Sequence, residues 1–394
     1  MPSVTQDNNF QDDFLRYQTL KNEFSVEPES ARATSADDVS QQEITEPFDP
    51  KSIDINSKTL TLDNLIKRLR ENEIDLNPEF QRSGNLWSPE QQSRLIESLL
   101  IRIPLPAFYF DGTNDERWLV VDGLQRLSAI KNFVVENKLR LTGLEFLEKK
   151  IGGLTFSQLP RPYQRQIEET NIVAYIINPG TPEDVKFNIF KRINTGGKQL
   201  ELQEIRHALN QGLPARFITR LASCQEFKRA TQNAIPVERM LDREFVTRFV
   251  AFYLFSPDDY RTDLDTFLSR VMKYLRKLSP YDLFKIEYDF KRAMNLARFI
   301  FTRWSFRKVF YIHEKRYPIN KALFEVWSVC LARLTNKERE MLMKDRKFVF
   351  EDFMKLMRND SHFVATISAS TGDKAKVKYR FTKIKELINS ELAI

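Results

Sequence analysis

The sequence contains few of the residues on which metal and redox chemistry usually depend. Its 394 residues include two cysteines, Cys224 and Cys330, and three histidines, His207, His313 and His362. The cysteines lack metal-ligand spacing and the histidines lie in unrelated contexts, so we expect neither a zinc site nor a histidine-centred triad. Isolated thiols fit a reducing cytosol, and we therefore expect a cytoplasmic protein.

The sequence also lacks long apolar runs. No uninterrupted apolar stretch approaches the ~18 residues that a membrane span needs, and the N-terminus does not have the charged and apolar segments of a secretory signal. Hydrophobic residues nevertheless make up 42% of the chain, which is enough to form real cores. The length allows two or three domains of about 150 residues each.

Negative charge is concentrated at the N-terminus. Residues 1–50 contain eleven Asp or Glu and three Lys or Arg, a net charge of −8, whereas the whole chain carries +7, so the remainder carries +15. The acidic segment has few aliphatic side chains and cannot bury enough surface to offset its ordering entropy. We therefore predict a mostly disordered tail over residues 1–55. The basic body favours polyanionic partners such as nucleic acid, although many basic proteins bind none.

Hydrophobic periodicity divides the rest of the chain into two parts. Up to about residue 212 it predicts helices alternating with strands, at 59–62, 107–110, 118–121 and 171–177. The second and third strands are joined as a hairpin. From Leu213 onward helical spacing dominates. We therefore predict an α+β domain over residues 56–212 and a mostly α-helical domain over residues 213–394.

The most informative stretch is Trp118–Ile130, with the sequence WLVVDGLQRLSAI. Four apolar residues predict a buried strand, Asp122 and Gly123 a tight turn, and the remainder a helix. This layout directs backbone N–H groups and the positive end of a helix dipole at one point, where Gln125 and Arg126 can add donors. A phosphate site explains these residues. A plain turn, with Asp122 as the helix cap and Arg126 in solvent, explains them equally well.

Two further polar clusters occur in otherwise apolar surroundings. The loop 77–82 has the sequence NPEFQR, in which Arg82 can hold a phosphate through two N–H groups and Gln81 can orient a water or a base edge. The segment 187–197 places Asn194 at a predicted helix end, where its amide can cap the helix or project into a site. Taken alone, neither cluster is specific.

Together, these motifs resemble the N-terminal domain of the GmrSD-type modification-dependent restriction proteins, over about residues 58–212. The family usually has Asp-Gly-Gln-Gln-Arg where this chain has Leu124 in the middle, but Gln125 and Arg126 are retained. The family's domain is similar to the ParB/sulfiredoxin fold, in which a Gly-x-x-Arg turn binds nucleotide phosphates. The resemblance therefore implies a ParB/sulfiredoxin-like domain that binds a nucleoside triphosphate with Mg²⁺, and NTP hydrolysis in some members.

The resemblance also implies roles for individual residues around the turn. The Gly123 backbone and the Arg126 side chain would contact phosphates. Asp122 would bind Mg²⁺ directly or through water, since Mg²⁺ is usually held by one or two carboxylates plus phosphate oxygens. Gln125 would orient the attacking water. The remaining wall of the nucleotide site would be formed by Gln81, Arg82 and Asn194.

These expectations describe a nucleotide-binding protein, an Mg²⁺-dependent NTPase of a DNA-directed restriction or phage-defence system. The alternative is a non-enzymatic module that binds nucleic acid or a partner and uses the ParB-like fold as a scaffold. Family members often carry a separate nuclease domain with a His-Asn-His centre. His313 and His362 lack the partner residues that metal-assisted cleavage needs, so autonomous nuclease activity ranks last among the alternatives, and the existence of a separate nuclease subunit is left open. Oligomeric state is left open.

The helical half contains a segment suited to polyanions. Between Lys291 and Lys321 there are nine Lys or Arg and one acidic residue, interleaved with seven aromatic residues. Basic side chains can neutralise phosphates while exposed aromatics stack on bases, and the residues that we expect to contact DNA are Arg303, Arg307 and Lys308. The competing interpretation is a packed segment whose aromatics face a core and whose cations extend outward.

Overall fold

The computed structural model describes residues 25–28, 53–76, 87–193, 201–261 and 263–392. It is an α+β protein that divides into two compact units. The sheet unit is Phe48–Leu209, and the helical unit is Asn210–Ile394 together with the described N-terminal residues 25–28. Within the described ranges, no helix combines the length and the apolarity needed to cross a membrane.

In the described part of the sheet unit, the strands form one mixed sheet. They are β1 (Ile55–Thr61), β2 (Ile74–Asp75), β3 (Phe108–Asp111), β4 (Trp118–Asp122) and β5 (Asn171–Ile177). Their order across the sheet is β1-β5-β3-β4-β2. β3 and β4 pair antiparallel, which confirms the predicted hairpin. β5 pairs antiparallel with β1 and parallel with β3, and β2 runs parallel to β4. The end of β4 therefore lies beside a central strand of the sheet.

The helices of the sheet unit cover both faces of the sheet. They are α1 (Leu62–Arg70), α2 (Pro89–Leu100), α3 (Leu124–Ile130), α4 (Glu148–Ile151), α5 (Arg161–Glu168), α6 (Glu183–Ile193) and α7 (Leu202–Leu209). Because side chains alternate along a strand, Phe108 and Phe110 point to the face packed against residues of α1, α2 and α3. Val121 and Ile177 lie in a second cluster with residues of α6 and α7.

The predicted start of α2 is confirmed in detail. Ser88 is the N-cap, its hydroxyl accepts from the Gln91 N–H at 3.3 Å, and the Gln91 side chain accepts from the Ser88 N–H at 2.9 Å. Pro89 occupies the first helical position, where its missing N–H leaves no helical hydrogen bond unmade. The capping box could be predicted from the sequence because all of its members lie within four consecutive residues.

The helical unit is built from long and short helices around one large apolar core. They are α8 (Leu213–Ser223), α9 (Gln225–Thr231), α10 (Leu241–Leu254), α11 (Leu264–Leu275), α12 (Pro280–Phe301), α13 (Lys321–Ala332), α14 (Asn336–Lys344), α15 (Arg346–Asn359), α16 (Ser361–Thr366) and α17 (Lys374–Leu392). Aromatic side chains fill much of this core, including Phe249, Phe290 and Trp327. α13 is almost entirely buried, which explains why most of its residues are apolar.

Three residues of the predicted tail, Ser25, Val26 and Glu27, are paired with the helical unit. The Glu27 N–H donates to the Ile319 carbonyl at 2.8 Å, and the Ile319 N–H donates to the Ser25 carbonyl at 3.0 Å. The Glu27 carboxylate accepts from Lys308 Nζ at 2.6 Å and from Asn320 Nδ2 at 2.9 Å. An acidic segment thus finds partners on the basic body, and residues 25–28 differ from the disordered tail that composition predicts.

Candidate functional site

The turn between β4 and α3 depends on a glycine for two separate reasons. Gly123 is the N-cap of α3 and has φ 99° and ψ 10°, a left-handed conformation that strains any residue with a side chain. A Cβ atom at this position would also overlap Cδ1 of Phe108 and lie 3.3 Å from Nη2 of Arg126. The N-cap is Gly123 rather than Asp122, so the simple capping role considered for Asp122 is not the one observed.

Beyond Gly123 the chain enters a helix, as the sequence predicts. The first hydrogen bond of this helix is donated by the Leu127 N–H to the Gly123 carbonyl at 2.8 Å. The N–H groups of residues 124–126 therefore precede the hydrogen-bonded part of the helix. α3 continues through a π-helical turn at Lys131–Val135. Its N-terminal end, with its partial positive charge, lies at the Asp122–Gly123 turn.

Arg126 is held in place rather than extended into solvent. Its side chain is 11% exposed, and Nη2 lies 2.8 Å from Asp122 Oδ2. The same group donates to the Ala107 carbonyl at 3.1 Å, and Nη1 donates to the Pro106 carbonyl. The guanidinium carbon lies 4.4 Å from the centroid of the Phe108 ring. The interpretation of Arg126 as a solvated surface residue is therefore wrong.

The environments of Asp122 and Arg126 perturb both groups. Burial raises the pKa of Asp122, and the adjacent Arg126 together with the Gly123 N–H opposes this effect. Burial lowers the pKa of Arg126, and Asp122 opposes it. Each charge thus compensates for the burial of the other. A guanidinium has five N–H donors, and the bonds above use three of them.

Gln125 connects the turn to the start of α2. Its Oε1 accepts a hydrogen bond from the Trp87 N–H at 3.0 Å. Trp87 directly precedes the N-cap of α2. The Gln125 amide is therefore oriented by the backbone, which is the condition for using such a group to position a water or a phosphate oxygen.

Tyr109, which was not predicted from the sequence, lies beside Asp122, and the ring of Tyr175 stacks on that of Tyr109. Tyr109 is the register partner of Asp122 across the hairpin, and its ring stacks on that of Tyr175 with centroids 4.8 Å apart. Burial, followed by the proximity of Tyr175 and of the Asp122 carboxylate, raises the pKa of Tyr109. Its phenol thus keeps its proton at neutral pH. The alternation Phe108-Tyr109-Phe110 could have shown that this tyrosine faces away from the main core.

A second Asp-Gly pair, at the other end of the hairpin, forms a buried ion pair instead of a turn of this kind. Lys186 Nζ lies 3.2 Å from the Asp111 carboxylate, and both side chains are at most 10% exposed. Thr113 donates its N–H to Asp111 at 2.9 Å and also bonds the lysine through its hydroxyl. Gly112 does not have positive φ. Both sites have the same Asp-Gly dipeptide. The residues that contact each dipeptide in the folded protein decide whether it forms a helix-starting turn or a buried ion pair.

The helix α7 contributes buried polar side chains that the sequence reading also missed. They are Gln203, Glu204, Arg206 and His207, all at most 2% exposed. Arg206 Nη1 donates to Gln203 Oε1 at 2.6 Å, and its guanidinium lies 5.6 Å from the Phe187 ring. Charged residues alternate with the apolar Ile205 and Ala208 in this short helix. That pattern is the sequence signal from which burial of these polar side chains could have been predicted.

Three predicted site residues are not placed by the structure. Gln81, Arg82 and Asn194 lie outside the described residues, as does the rest of the 77–82 loop. The described part of the site is therefore Asp122, Gly123, Gln125 and Arg126, and the grouping of all the predicted residues stays a prediction.

The donor set at the turn suits a metal only together with a phosphate ligand. Among the described residues there is no group of three or more His, Cys, Asp or Glu side chains arranged to hold a metal ion. At the turn, Asp122 is a single carboxylate already paired with Arg126. One carboxylate plus phosphate oxygens and waters is an ordinary Mg²⁺ environment, so the residues present fit Mg²⁺ bound with a nucleotide.

In the helical unit the structure contradicts two of the three residues predicted to contact DNA. Arg307 is 1% exposed and donates to the Tyr317 carbonyl at 2.6 Å. Lys308 is 8% exposed and is held by Glu27 and by Ser368. Neither cation can reach a nucleic acid in this arrangement. Arg303 is exposed and lines a groove, so it alone keeps the predicted role.

Comparison with known proteins identifies the sheet unit. Residues 62–210 match the family described as the GmrSD restriction endonuclease, N-terminal domain. The match runs from the first residue of α1 to the residue after α7, and so contains the turn, the hairpin and helices α1–α7, but not β1. A search of curated proteins found no match.

Proposed function

Because residues 62–210 belong to the GmrSD-type N-terminal domain family, we propose that the chain is a nucleotide-binding component of a restriction or phage-defence system. In this proposal the β4–α3 turn binds the phosphates of a nucleoside triphosphate. The observation that carries it is the combination of left-handed Gly123 with a largely buried Arg126 at the N-terminal end of a helix.

The proposed phosphate contacts follow from the geometry of the turn. N–H groups at a helix start and the partial charge of the helix dipole attract anions. The left-handed conformation of Gly123 lets the chain enter α3 directly after β4, which places these N–H groups at the turn. The carbonyls of Pro106 and Ala107 hold the Arg126 guanidinium in one orientation, so little side-chain entropy is lost when it binds a phosphate.

We propose that Asp122 holds Mg²⁺ with the nucleotide and that Gln125 orients the attacking water. When bound, Mg²⁺ would neutralise charge on the phosphate oxygens. Asp122 would then exchange part of its pairing with Arg126 for the metal, which frees the guanidinium for phosphate. The Tyr109 phenol is an additional hydrogen-bond donor near the same carboxylate. A ParB/sulfiredoxin-like fold for the sheet unit belongs to this proposal, supported by the strand–glycine–helix turn.

Nucleotide binding is tested with Arg126→Lys and Arg126→Ala in the full chain. We expect each to weaken Mg²⁺–nucleotide binding at least about tenfold, since a charged hydrogen bond contributes roughly 1.5–3 kcal/mol. Binding is measured by calorimetry with ATP, GTP, CTP and UTP, at a temperature where thermal unfolding shows each variant folded. Arg165→Ala, an exposed arginine of the same unit, is the control. Wild-type affinity in both Arg126 variants would exclude this site.

Hydrolysis is tested by phosphate release with Mg²⁺ and with EDTA, for the wild type, Asp122→Asn and Gln125→Leu. We expect Asp122→Asn to lose Mg²⁺ dependence and Gln125→Leu to lower the rate while keeping nucleotide affinity.

Pairing of Arg126 within the protein also supports a second candidate, a non-enzymatic module that binds nucleic acid or a partner. Absence of phosphate release with all four nucleotides, together with salt-sensitive DNA binding, would favour that module.

A further inference from the structure

The long helix α12 presents a row of exposed aromatic side chains. Tyr281 is 72% exposed, Phe284 64%, Tyr288 50% and Phe299 38%. At 100° per residue these positions fall on one side of the helix, because their spacings are three, four and eleven residues. The row runs from residue 281 to residue 299, a rise of eighteen residues or about 27 Å at 1.5 Å per residue. We call it the aromatic face.

Two rings of the aromatic face, Phe284 and Tyr288, lie side by side. The Phe284 and Tyr288 ring centroids are 6.2 Å apart with an interplanar angle of 19°. The Arg292 guanidinium lies 5.1 Å from the Tyr288 ring, one helical turn further along. Four large rings on one exposed strip are unusual unless they serve an interaction. Flat rings at this spacing offer successive stacking surfaces.

At its C-terminal end the aromatic face meets a groove of about 560 Å³. Four arginines from three helices and a following turn line it: Arg229, Arg298, Arg303 and Arg346. All four are exposed, and none makes an ion pair with another residue in the described part of the chain. Phe299 lines the same groove, and the Arg346 guanidinium lies 4.7 Å from its ring. We call this the arginine groove.

One of the residues that line the arginine groove has a strained backbone. Thr302 lines the groove and has φ 51° and ψ −117°, a conformation that a residue with a side chain rarely adopts. It ends α12 abruptly between Arg298 and Arg303. Strain of this kind persists where the surrounding structure requires it, and it concentrates at functional positions.

We infer that the aromatic face and the arginine groove together bind single-stranded nucleic acid. The positive charges of these arginines, which form no ion pair within the described part of the chain, are complementary to the negative phosphate backbone. The aromatic rings match unpaired bases, because each base has a face that can stack on them, and this stacking is independent of sequence. A duplex hides those faces inside its own stack, so a single strand fits better than a double helix. The length of the face suits roughly four nucleotides or more.

The inference is tested with the full chain and fluorescent 20-mers of single-stranded DNA, single-stranded RNA and duplex DNA, by anisotropy over a range of salt. We expect single strands to bind more tightly than the duplex. Phe284→Ala should weaken single-strand binding about tenfold. Arg298→Ala with Arg303→Ala should weaken it further and reduce the salt slope by about 1.4, since each single-strand phosphate contact contributes about 0.7.

The matched control is Lys374→Ala with Lys385→Ala, which removes the same charge from exposed positions of α17. It should leave binding within about twofold of the wild type. Equal weakening by the control pair, or tighter binding of duplex with no effect of Phe284→Ala, would overturn the inference. So would displacement of the strand by free Mg²⁺–nucleotide in Arg126→Ala, which would identify the groove as a site for free phosphates.

This inference stands apart from the proposed nucleotide site. Its residues belong to the helical unit, and the turn belongs to the sheet unit. Arg298→Ala with Arg303→Ala should therefore keep wild-type nucleotide affinity, whereas Arg126→Lys should keep wild-type single-strand affinity. If the nucleotide measurements contradict the proposed function, the single-strand measurements still test this inference, and the reverse also holds.

Discussion

Arg126 Nη2 lies 2.8 Å from Asp122 Oδ2, and both side chains are at least 79% buried from solvent. One turn of helix separates the two residues, so the pair links the end of β4 to the first turn of α3. Its two charges offset each other's burial, which makes the pair important for stability as well as for any ligand.

Removing one member of this pair should destabilise the sheet unit. We expect Arg126→Ala to cost about 2–4 kcal/mol, since it leaves the Asp122 carboxylate without its compensating charge. Asp122→Asn combined with Arg126→Met should cost less than the sum of the single changes. Hydrogen exchange of sheet-unit peptides measures the effect for this unit alone. Additive costs would show that the two charges do not depend on each other.

Gly123→Ala should be more damaging than an alanine at another glycine with the same backbone conformation. The left-handed φ costs about 1–2 kcal/mol, and overlap with Phe108 adds roughly 1–3 kcal/mol. Gly180 has φ 98° with no atom within 4 Å of an added Cβ, so Gly180→Ala measures the backbone effect alone. Thermal unfolding should show a lower midpoint for Gly123→Ala, and equal midpoints would refute the predicted overlap.

Glu97 should make the sheet unit sensitive to acid. Its carboxylate accepts the N–H groups of Glu145, Phe146 and Leu147 at 2.7–2.8 Å. Burial raises the pKa of Glu97, but these three donors lower it by more, so the pKa lies below its usual range. Its stabilisation is therefore present above the unfolded-state pKa of about 4.3. It is lost as pH falls through the lower folded-state pKa.

The measurement for Glu97 compares the wild type with Glu97→Gln as a function of pH. At pH 7 the variant should be less stable by about 2 kcal/mol, the contribution of a hydrogen bond to a charged group. The difference should shrink as pH falls below about 4. Glu169→Gln, at an exposed position of the same unit, should stay within about 0.5 kcal/mol throughout. A pH-independent cost for Glu97→Gln would contradict the prediction.

The helical unit contains a buried ionic network that should also be essential to its stability. Arg380 Nη2 lies 2.5 Å from Glu325 Oε1, and Arg248 Nη1 lies 3.7 Å from the other oxygen, with all three side chains at most 3% exposed. Arg380→Ala should cost about 3–5 kcal/mol because it leaves a buried carboxylate undercompensated. Lys378→Ala breaks an exposed pair with Asp258, and because such pairs contribute little to stability, denaturant unfolding should show a far smaller effect than for Arg380→Ala.

Much of the local structure could be predicted from the sequence. The capping box at Ser88, the hairpin of β3 and β4, and β5 at Asn171–Ile177 all follow from patterns contained within a few residues. The left-handed glycine after β4 was indicated in the same way, because Asp-Gly after an apolar strand needs a tight turn. Such features can be predicted because the residues that cause them are close together in the sequence.

Residues that depend on distant partners were harder to predict. Arg307 and Lys308 have the composition of a nucleic-acid surface, but the chain near Tyr317 and residue Glu27 bury them. The aromatic face was missed because Tyr281, Phe284 and Tyr288 lie before the segment singled out for its charge. A 3.6-residue period shows that a helix has faces, but it does not show which face the rest of the protein covers.

The sequence by itself determined the order of helices and strands, the glycine turn and the overall basic charge, because each depends on neighbouring residues or on composition. Only the tertiary structure decided that Asp122 and Gly123 form a turn held by Arg126 while Asp111 forms a buried ion pair with Lys186. The tertiary structure also decided which Lys and Arg side chains are exposed to solvent. These outcomes depend on the free energy of burying a charge, which is set by the partners that the fold brings together from distant parts of the chain.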